Sequence, residues 1–256
     1  MTGFVRFQSD GVPWWGVLEA DGDTISTLTG SVYGAWTRGP VAGRLAELDL
    51  LAPCEPRTVA ALAYNYKDLV GPRDTYDEPL VFVKSPSCVV GARDAIARPA
   101  WAERVWVEVE VAFVIRTAVF EATRAQAADA ILGYTLANDV TAVNIHGRDH
   151  HLARSKSLAT FCPVGAVLRP GVDTNALALS TCINGRFSQQ GSTRDRIYDD
   201  VEALMLVSRL MPLWPGDIIL TGTPAGAMDS LVQPGDDVEL VIEGLGRLTN
   251  PIVSRG

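Results

Sequence analysis

The segment VWVEVEVAFVI, from Val105 to Ile115, sets two glutamates inside an apolar run with strand character. Val105, Val107, Val109 and Val111 alternate with Trp106, Glu108, Glu110 and Ala112. A strand of period two therefore brings Glu108 and Glu110 to one face, about 7 Å apart. Valine favours strands and glutamate does not, and two carboxylates on one face of so apolar a segment repel each other unless positive charge lies between them. A divalent cation meets that need. Asp139 follows at the end of a second apolar run, Ile131 to Ala137. A third carboxylate completes a hard, all-oxygen set of the kind magnesium or manganese accepts, with positions left for water and substrate oxygens. Spacing alone leaves a second reading open, in which Glu108 and Glu110 form the wet face of an edge strand and Asp139 caps a following helix.

Composition narrows the classes. A chain of 256 residues that is 47% hydrophobic can bury a substantial core, as one large domain or a large one with a small appendage. The net charge of −8, without any lysine- or arginine-rich run, argues against a nucleic-acid footprint. The start MTGFVRFQSDG lacks the apolar stretch of a signal peptide, and no apolar run approaches the roughly 18 residues that span a bilayer, so a cytoplasmic location without membrane partners is expected. Cys54, Cys88, Cys162 and Cys182 are widely spread and form no C-x-x-C pair, which suits reduced, buried thiols.

The chain divides near Pro53 and Pro56. Residues 1–52 read as a small N-terminal unit: short strands broken by Asp-Gly turns, then a short helix over Val41 to Leu50. Trp14 and Trp15 suit packing against a neighbouring domain or subunit better than ligand binding. From Arg57 to the C-terminus the main unit begins with the strand TVAALAYNY and the loop or lid KDLVGPRDTYDEP, and PLVFVKSPS then ends a strand on Lys84. Thr123 caps a helix running to Leu132. After Asp139, VTAVNIHGRDHHLARSK carries all the histidines; as a helix it sets His146 on the face of Asp139, with His150 and His151 in the same excursion. TCINGRFSQQ reads as a hairpin about Asn184-Gly185, Val201 to Met211 as an amphipathic helix, and GDIILTGTPAG as a buried strand entering a glycine loop whose amides can approach a ligand oxygen.

Taken in order, ALAYNYKD, EPLVFVKSPS, VEVEVAFVI, GYTLANDVTA, KSLATFCPVG, INGRFSQQGST, GDIILTGTPAG and GDDVELVIEGLGRLTNPI resemble the fumarylacetoacetate hydrolase family. The resemblance implies a mainly β fold with some α, a mixed β-sandwich roll behind a small N-terminal domain, together with a Mg2+ or Mn2+ ion and a homodimer. It assigns the metal to Glu108, Glu110 and Asp139, and the ligand-side lysines to Lys84 and Lys156. Tyr66, Gln189, Gly222 and Thr223 complete the expected substrate site.

Two departures bear on activity. Hydrolases of this family commonly carry a histidine after the aspartate of the Asn-Tyr-x-Asp segment, and here Leu69 stands there. The usual arginine four positions beyond the metal aspartate is Val143, and the glutamine three further on is His146. The approach to Lys156 is more similar to the branch that isomerises and decarboxylates unsaturated oxo-diacids in 4-hydroxyphenylacetate breakdown. The expected function is a metal-dependent isomerase or decarboxylase of a 2-hydroxy-dienoate or 2-oxo-enoate, with Lys156, Lys84 and His146 as catalytic groups and Cys162 structural. A C–C bond hydrolase of acylpyruvate type, with His146 or His150 as base, and a recruited tautomerase or ligand-binding member are the alternatives.

Overall fold

The computed structural model describes residues 2–70, 78–145 and 147–256. Two five-stranded sheets build the main unit, in the strand orders Ile131–Asn138, Val109–Ile115, Ile218–Leu220, Val59–Ala63, Leu80–Lys84 and Arg186–Ser192, Ala178–Ile183, Asp237–Ile242, Gly246–Arg255, Ile96–Pro99. Val109, Val111 and Leu220 from the first sheet share a buried cluster with Val238, Leu240 and Ile242 from the second. The opposite face of the first sheet is closed by the helices Arg124–Ala130 and Asp200–Leu210, through Ala127, Leu204 and Val207 against Phe113, Ile115 and Ile219. A strand covered on both faces has no wet side, which is why VAFVI runs apolar without alternation and every residue of Val109–Ile115 is buried.

Local sequence sets the ends of these elements. Both helices start with a reciprocal capping box, Thr123 with Gln126 and Asp199 with Glu202. The expected helix after Thr123 ends at Ala130, where the chain turns directly into the strand Ile131–Asn138. Asn184 and Gly185 hold φ of 52° and 76°, the backbone needed by a tight hairpin between right-twisted strands, and join Ala178–Ile183 to Arg186–Ser192. Asp217, fully buried, accepts hydrogen bonds from the amides of Arg57, Thr58 and Trp214, and so locks the start of Ile218–Leu220 to its parallel neighbour Val59–Ala63. All four cysteines are free and buried.

The N-terminal meander comprises Gly3–Ser9, Val12–Leu18, Thr24–Gly30 and Trp36–Arg44. Its sheet is extended by Val167–Leu168, which pairs with Gly3–Ser9, and Phe4, Val17 and Leu28 enter the same buried cluster as the main unit. The helix expected over Val41 to Leu50 does not form. Val41, Gly43 and Arg44 pair with Thr24–Gly30, and Asp49–Leu51 pairs with Gly3–Ser9, so ladder hydrogen bonds and the packing of Leu45 and Leu48 outweigh local helix preference. Trp15 stacks edge-on to Tyr33, and Trp14 stays largely exposed.

The Asp199 cap generates a stability prediction. Partial burial opposes its charge, but the Glu202 amide and the Arg124 guanidinium hold its carboxyl below the usual carboxylate range. Its contribution is therefore present above the unfolded value of about 3.9 and fades as pH falls through the folded value. Asp199→Ala should lower unfolding stability by about 1 kcal/mol in urea titrations at neutral pH, and Asp199→Asn by much less, because asparagine also caps. The gap between wild type and Asp199→Ala should shrink when the titrations are repeated well below pH 4.

Candidate metal centre and active site

The valine-glutamate segment is not one continuous strand. Val105–Trp106 pairs with Thr141–Ala142, whereas Val109–Ile115 pairs with Ile131–Asn138, and the two ladders are separated by a break at Val107–Glu108 on one side and Asp139–Val140 on the other. Within the break the amide of Val107 donates to the carbonyl of Ser230, the amide of Glu108 to the side-chain oxygen of Asn138, and the amide of Asp139 to the carbonyl of Glu108. These backbone amides are satisfied without a ladder, and because the register is unchanged across the gap, with Trp106 opposite Thr141 and Val109 opposite Asn138, Glu108 lies opposite Asp139. Glu108, Glu110 and Asp139 each offer an oxygen within 4.8 Å of the others.

Each carboxylate is oriented by its own partners. Glu108, partly buried, receives on Oε1 the indole Nε1 of Trp106 at 2.8 Å, the hydroxyl of Thr141 at 2.7 Å and the ammonium of Lys156 at 3.0 Å. Glu110 accepts the backbone amide of Gly222 on Oε2 at 2.6 Å. Asp139 bonds Lys84 through Oδ1 and Lys156 through Oδ2, the latter at 2.6 Å. Burial, then the charges of Asp139 and Glu108, push the Glu110 carboxyl well above the usual range. Burial also opposes the Asp139 charge, yet Lys156 and Lys84 hold that carboxyl below it. The Lys156 ammonium, disfavoured by burial, is kept protonated by Asp139 and Glu108. Three carboxylates against two ammonium groups leave negative charge at a buried point, and Glu110 has no lysine of its own among the described residues. An oxygen-preferring divalent cation fits that donor set.

The triad opens on a cavity of about 410 Å3, ample for a small organic acid. Lys156, Thr223 and Tyr64 line it, with Leu69, Leu80 and Phe82 among the apolar residues. Lys84 does not line it. It is fully buried behind Asp139, also donating to the carbonyl of Val140, and acts on the site through Asp139. Gln189 is likewise buried and donates to the Thr223 hydroxyl and the Pro224 carbonyl, so it braces the glycine loop. Gly222 turns at φ 90° with a Cβ position only 3.0 Å from the Leu62 carbonyl, and its amide is directed at Glu110. The expected ligand contact of that amide is thus replaced by a contact to a metal candidate.

Tyr66 also departs from expectation. Tyr64 takes φ 60°, the chain reverses, and Tyr66 enters the core fully buried while Tyr64 reaches the cavity. The helix expected to follow Asp139 is absent: Thr141–Ala142 is extended, and Ala153–Lys156 is the helical turn of that excursion. Asp139 therefore caps no helix, and the argument that placed His146 on its face fails. His146 itself lies outside the described residues, as do residues 71–77 of the expected loop or lid. His150 and His151 are exposed in a turn, and neither lines the cavity. Trp106, Asn138 and Thr141, which orient Glu108, escaped the sequence reading. Only their adjacency to the acidic residues marked them.

Glu110→Gln tests the electrostatics. Glutamine keeps an acceptor for the Gly222 amide and cannot ionise, whereas burial and the charges of Asp139 and Glu108 disfavour the Glu110 carboxylate. The metal-free variant should melt at a higher temperature than metal-free wild type, while Mn2+ affinity by calorimetry should fall at least about tenfold. A lower melting temperature with unchanged Mn2+ affinity would show that Glu110 is no ligand.

Comparison with known proteins agrees with this architecture. Residues 58–253 match the family described as fumarylacetoacetate (FAA) hydrolase, C-terminal, and residues 4–53 match the one described as Rv2993c-like, N-terminal. The chain is 36% identical over 204 residues to the 4-hydroxyphenylacetate degradation bifunctional isomerase/decarboxylase of Escherichia coli, covering 77% of this chain and 47% of that protein. It is 32% identical over 223 residues to the oxaloacetate tautomerase YisK of Bacillus subtilis, covering 81% and 74%. The solved structure of a 2-hydroxyhepta-2,4-diene-1,7-dioate isomerase from Mycobacterium marinum superposes over 100% of both chains with a TM-score of 0.90 and 35% identity. The chain belongs to the fumarylacetoacetate hydrolase family.

Proposed function

We propose that the protein is a divalent-metal-dependent isomerase or decarboxylase of a 2-hydroxy-dienoate or 2-oxo-enoate acid, with Mg2+ or Mn2+ held by Glu108, Glu110 and Asp139. The observation that carries the reading is Leu69. It lines the cavity at the position where the sequence resemblance places the histidine of hydrolases, so no imidazole from that position activates water. The isomerase/decarboxylase and tautomerase relatives support the same direction.

The cation, when bound, supplies Lewis-acid stabilisation of negative charge on the oxygens of a 2-oxo acid. The protein's own groups do the rest. Lys156, lining the cavity and shared between Glu108 and Asp139, is placed to bind the substrate carboxylate or the oxygen on which charge develops. Lys84 holds Asp139 in position from behind. The brace from Gln189 to Thr223 fixes the loop that orients Glu110. Leu62 and Phe82, both buried, present hydrocarbon to the cavity beside the triad. In this reading His146 moves the proton between carbons, the role its chemistry suits near neutral pH.

Proton NMR in deuterated water, with magnesium-loaded protein and a panel of 2-oxo-enoates, oxaloacetate and acylpyruvates, tests the proposal. Metal-dependent deuterium incorporation with double-bond migration or loss of CO2 is expected. Release of pyruvate with a carboxylic acid from acylpyruvates would overturn it in favour of C–C hydrolysis, the reading carried by the family's hydrolase members. His146→Asn should lower kcat by about 100-fold with little change in Mn2+ affinity, and an unchanged kcat would remove His146 from the mechanism.

A further inference from the structure

Backbone strain marks two walls of the cavity. Among the described residues, seven other than glycine take a positive φ, and two of these, Tyr64 at 60° and Leu152 at 57°, carry large hydrophobic side chains. Both line the cavity. Asp10 and Asn184, by contrast, sit in tight hairpins ahead of Gly11 and Gly185, and aspartate and asparagine visit this backbone readily. Tyrosine and leucine enter it only at a steric cost, because the Cβ crowds the backbone carbonyl.

Both conformations are enforced from either side. Before Tyr64, Ala63 pairs with Leu80. After it, the Asn65 side chain donates to the Thr221 carbonyl and accepts the Tyr198 amide, both at 2.8 Å, and the Asn65 carbonyl accepts the Ile197 amide. The Leu152 amide donates to the Asp149 carbonyl and its own carbonyl accepts the Lys156 amide, while the Asp149 carboxylate holds the amide and hydroxyl of Ser155. These bonds call for a left-handed residue at each place, which glycine would supply at lower cost. What tyrosine and leucine add is a side chain at the cavity. Leu152 shares its side chain with the main buried cluster, whereas Tyr64 is 47% exposed, so the case is clearest for Tyr64. Strained backbone of this kind gathers at ligand-binding positions.

Their placement says which part of a ligand they meet. Leu62, fully buried, lines the cavity with Glu110, and two residues on Tyr64 lines it half in solvent, so this segment climbs from floor to mouth. Leu152 stands one helical turn before Lys156, which bonds the triad. A head group held at the triad leaves its tail to run outward along this lining. Resting on the proposed 2-oxo acid chemistry, we infer that Tyr64 and Leu152 are specificity-determining residues whose side chains contact the unsaturated tail of the substrate, Tyr64 through its ring.

The test uses the magnesium-loaded full chain and two probes: oxalate, which carries a chelating head alone, and trans-2-oxo-4-phenylbut-3-enoate, which adds a planar unsaturated tail. Binding is read by calorimetry and stability by thermal melting. Tyr64→Gly should weaken the enoate at least about tenfold and leave oxalate within about twofold, with a melting temperature at or above that of wild type because the strain is released. Tyr64→Phe should bind the enoate nearly as wild type does, and a loss equal to that of Tyr64→Gly would overturn the assignment to the ring. Leu152→Gly should weaken the enoate at least about threefold and spare oxalate. Enoate binding indifferent to Tyr64→Gly, or equal loss of both probes in either variant, would overturn the inference while the 2-oxo acid reading stands. Wild type that binds neither probe would count against that reading, and the inference would fall with it.

Discussion

Mutual repulsion among Glu108, Glu110 and Asp139 is the constraint around which this molecule is built. Carboxylates brought within 4.8 Å of one another, with Glu110 and Asp139 buried, destabilise the folded chain unless cations are placed among them. The fold answers with two lysines of different character. Lys84 is enclosed in the sheet and neutralises Asp139 from behind, whereas Lys156 bridges Asp139 and Glu108 at the cavity. Glu110 receives a backbone dipole from Gly222 and, among the described residues, no ammonium. The residual negative charge at that point is what makes the triad suited to a divalent cation.

The three meet across a local break in a ladder whose register does not change: Trp106 faces Thr141 and Val109 faces Asn138, so Glu108 lies opposite Asp139. The break substitutes the Asn138 side chain, the Ser230 carbonyl and the Glu108–Asp139 backbone contact for ladder bonds. An irregularity of this kind is tolerated because the amides of Val107, Glu108 and Asp139 all find acceptors within it. The flanking ladders, one of them buried on both faces, hold the gap at a fixed width. Precision at the site thus derives from regular structure on either side of an irregular point.

Much of the architecture was legible beforehand. The hairpin about Asn184-Gly185 and the helices beginning after Thr123 and near Val201 are local matters, decided by turn and capping chemistry that a short window contains. The failures were non-local. The segment Val41 to Leu50 contains good helix formers, yet its conformation is set by strands more than ten residues earlier in the chain. The segment after Asp139, open to a helix or an irregular excursion from sequence alone, begins extended because Thr141–Ala142 pairs with Val105–Trp106. The resemblance places Tyr66 at the substrate, but Tyr64 takes φ 60° and it is Tyr64 that lines the cavity while Tyr66 is buried.

The sequence by itself determined which charges had to meet. Glutamates embedded in valines and an aspartate closing an apolar run admit few stable arrangements, because buried carboxylates must find positive partners wherever the chain puts them. The tertiary structure alone decided how they meet: that Lys84 lies behind Asp139 and Lys156 lines the cavity, that the Gly222 amide serves Glu110, and that Tyr64 rather than Tyr66 lines the pocket. Those outcomes depend on the relative placement of segments distant in the chain. No periodicity or spacing within one segment carries that information, because the energies that settle it are cross-strand hydrogen bonds and charge pairs formed only when the sheets close.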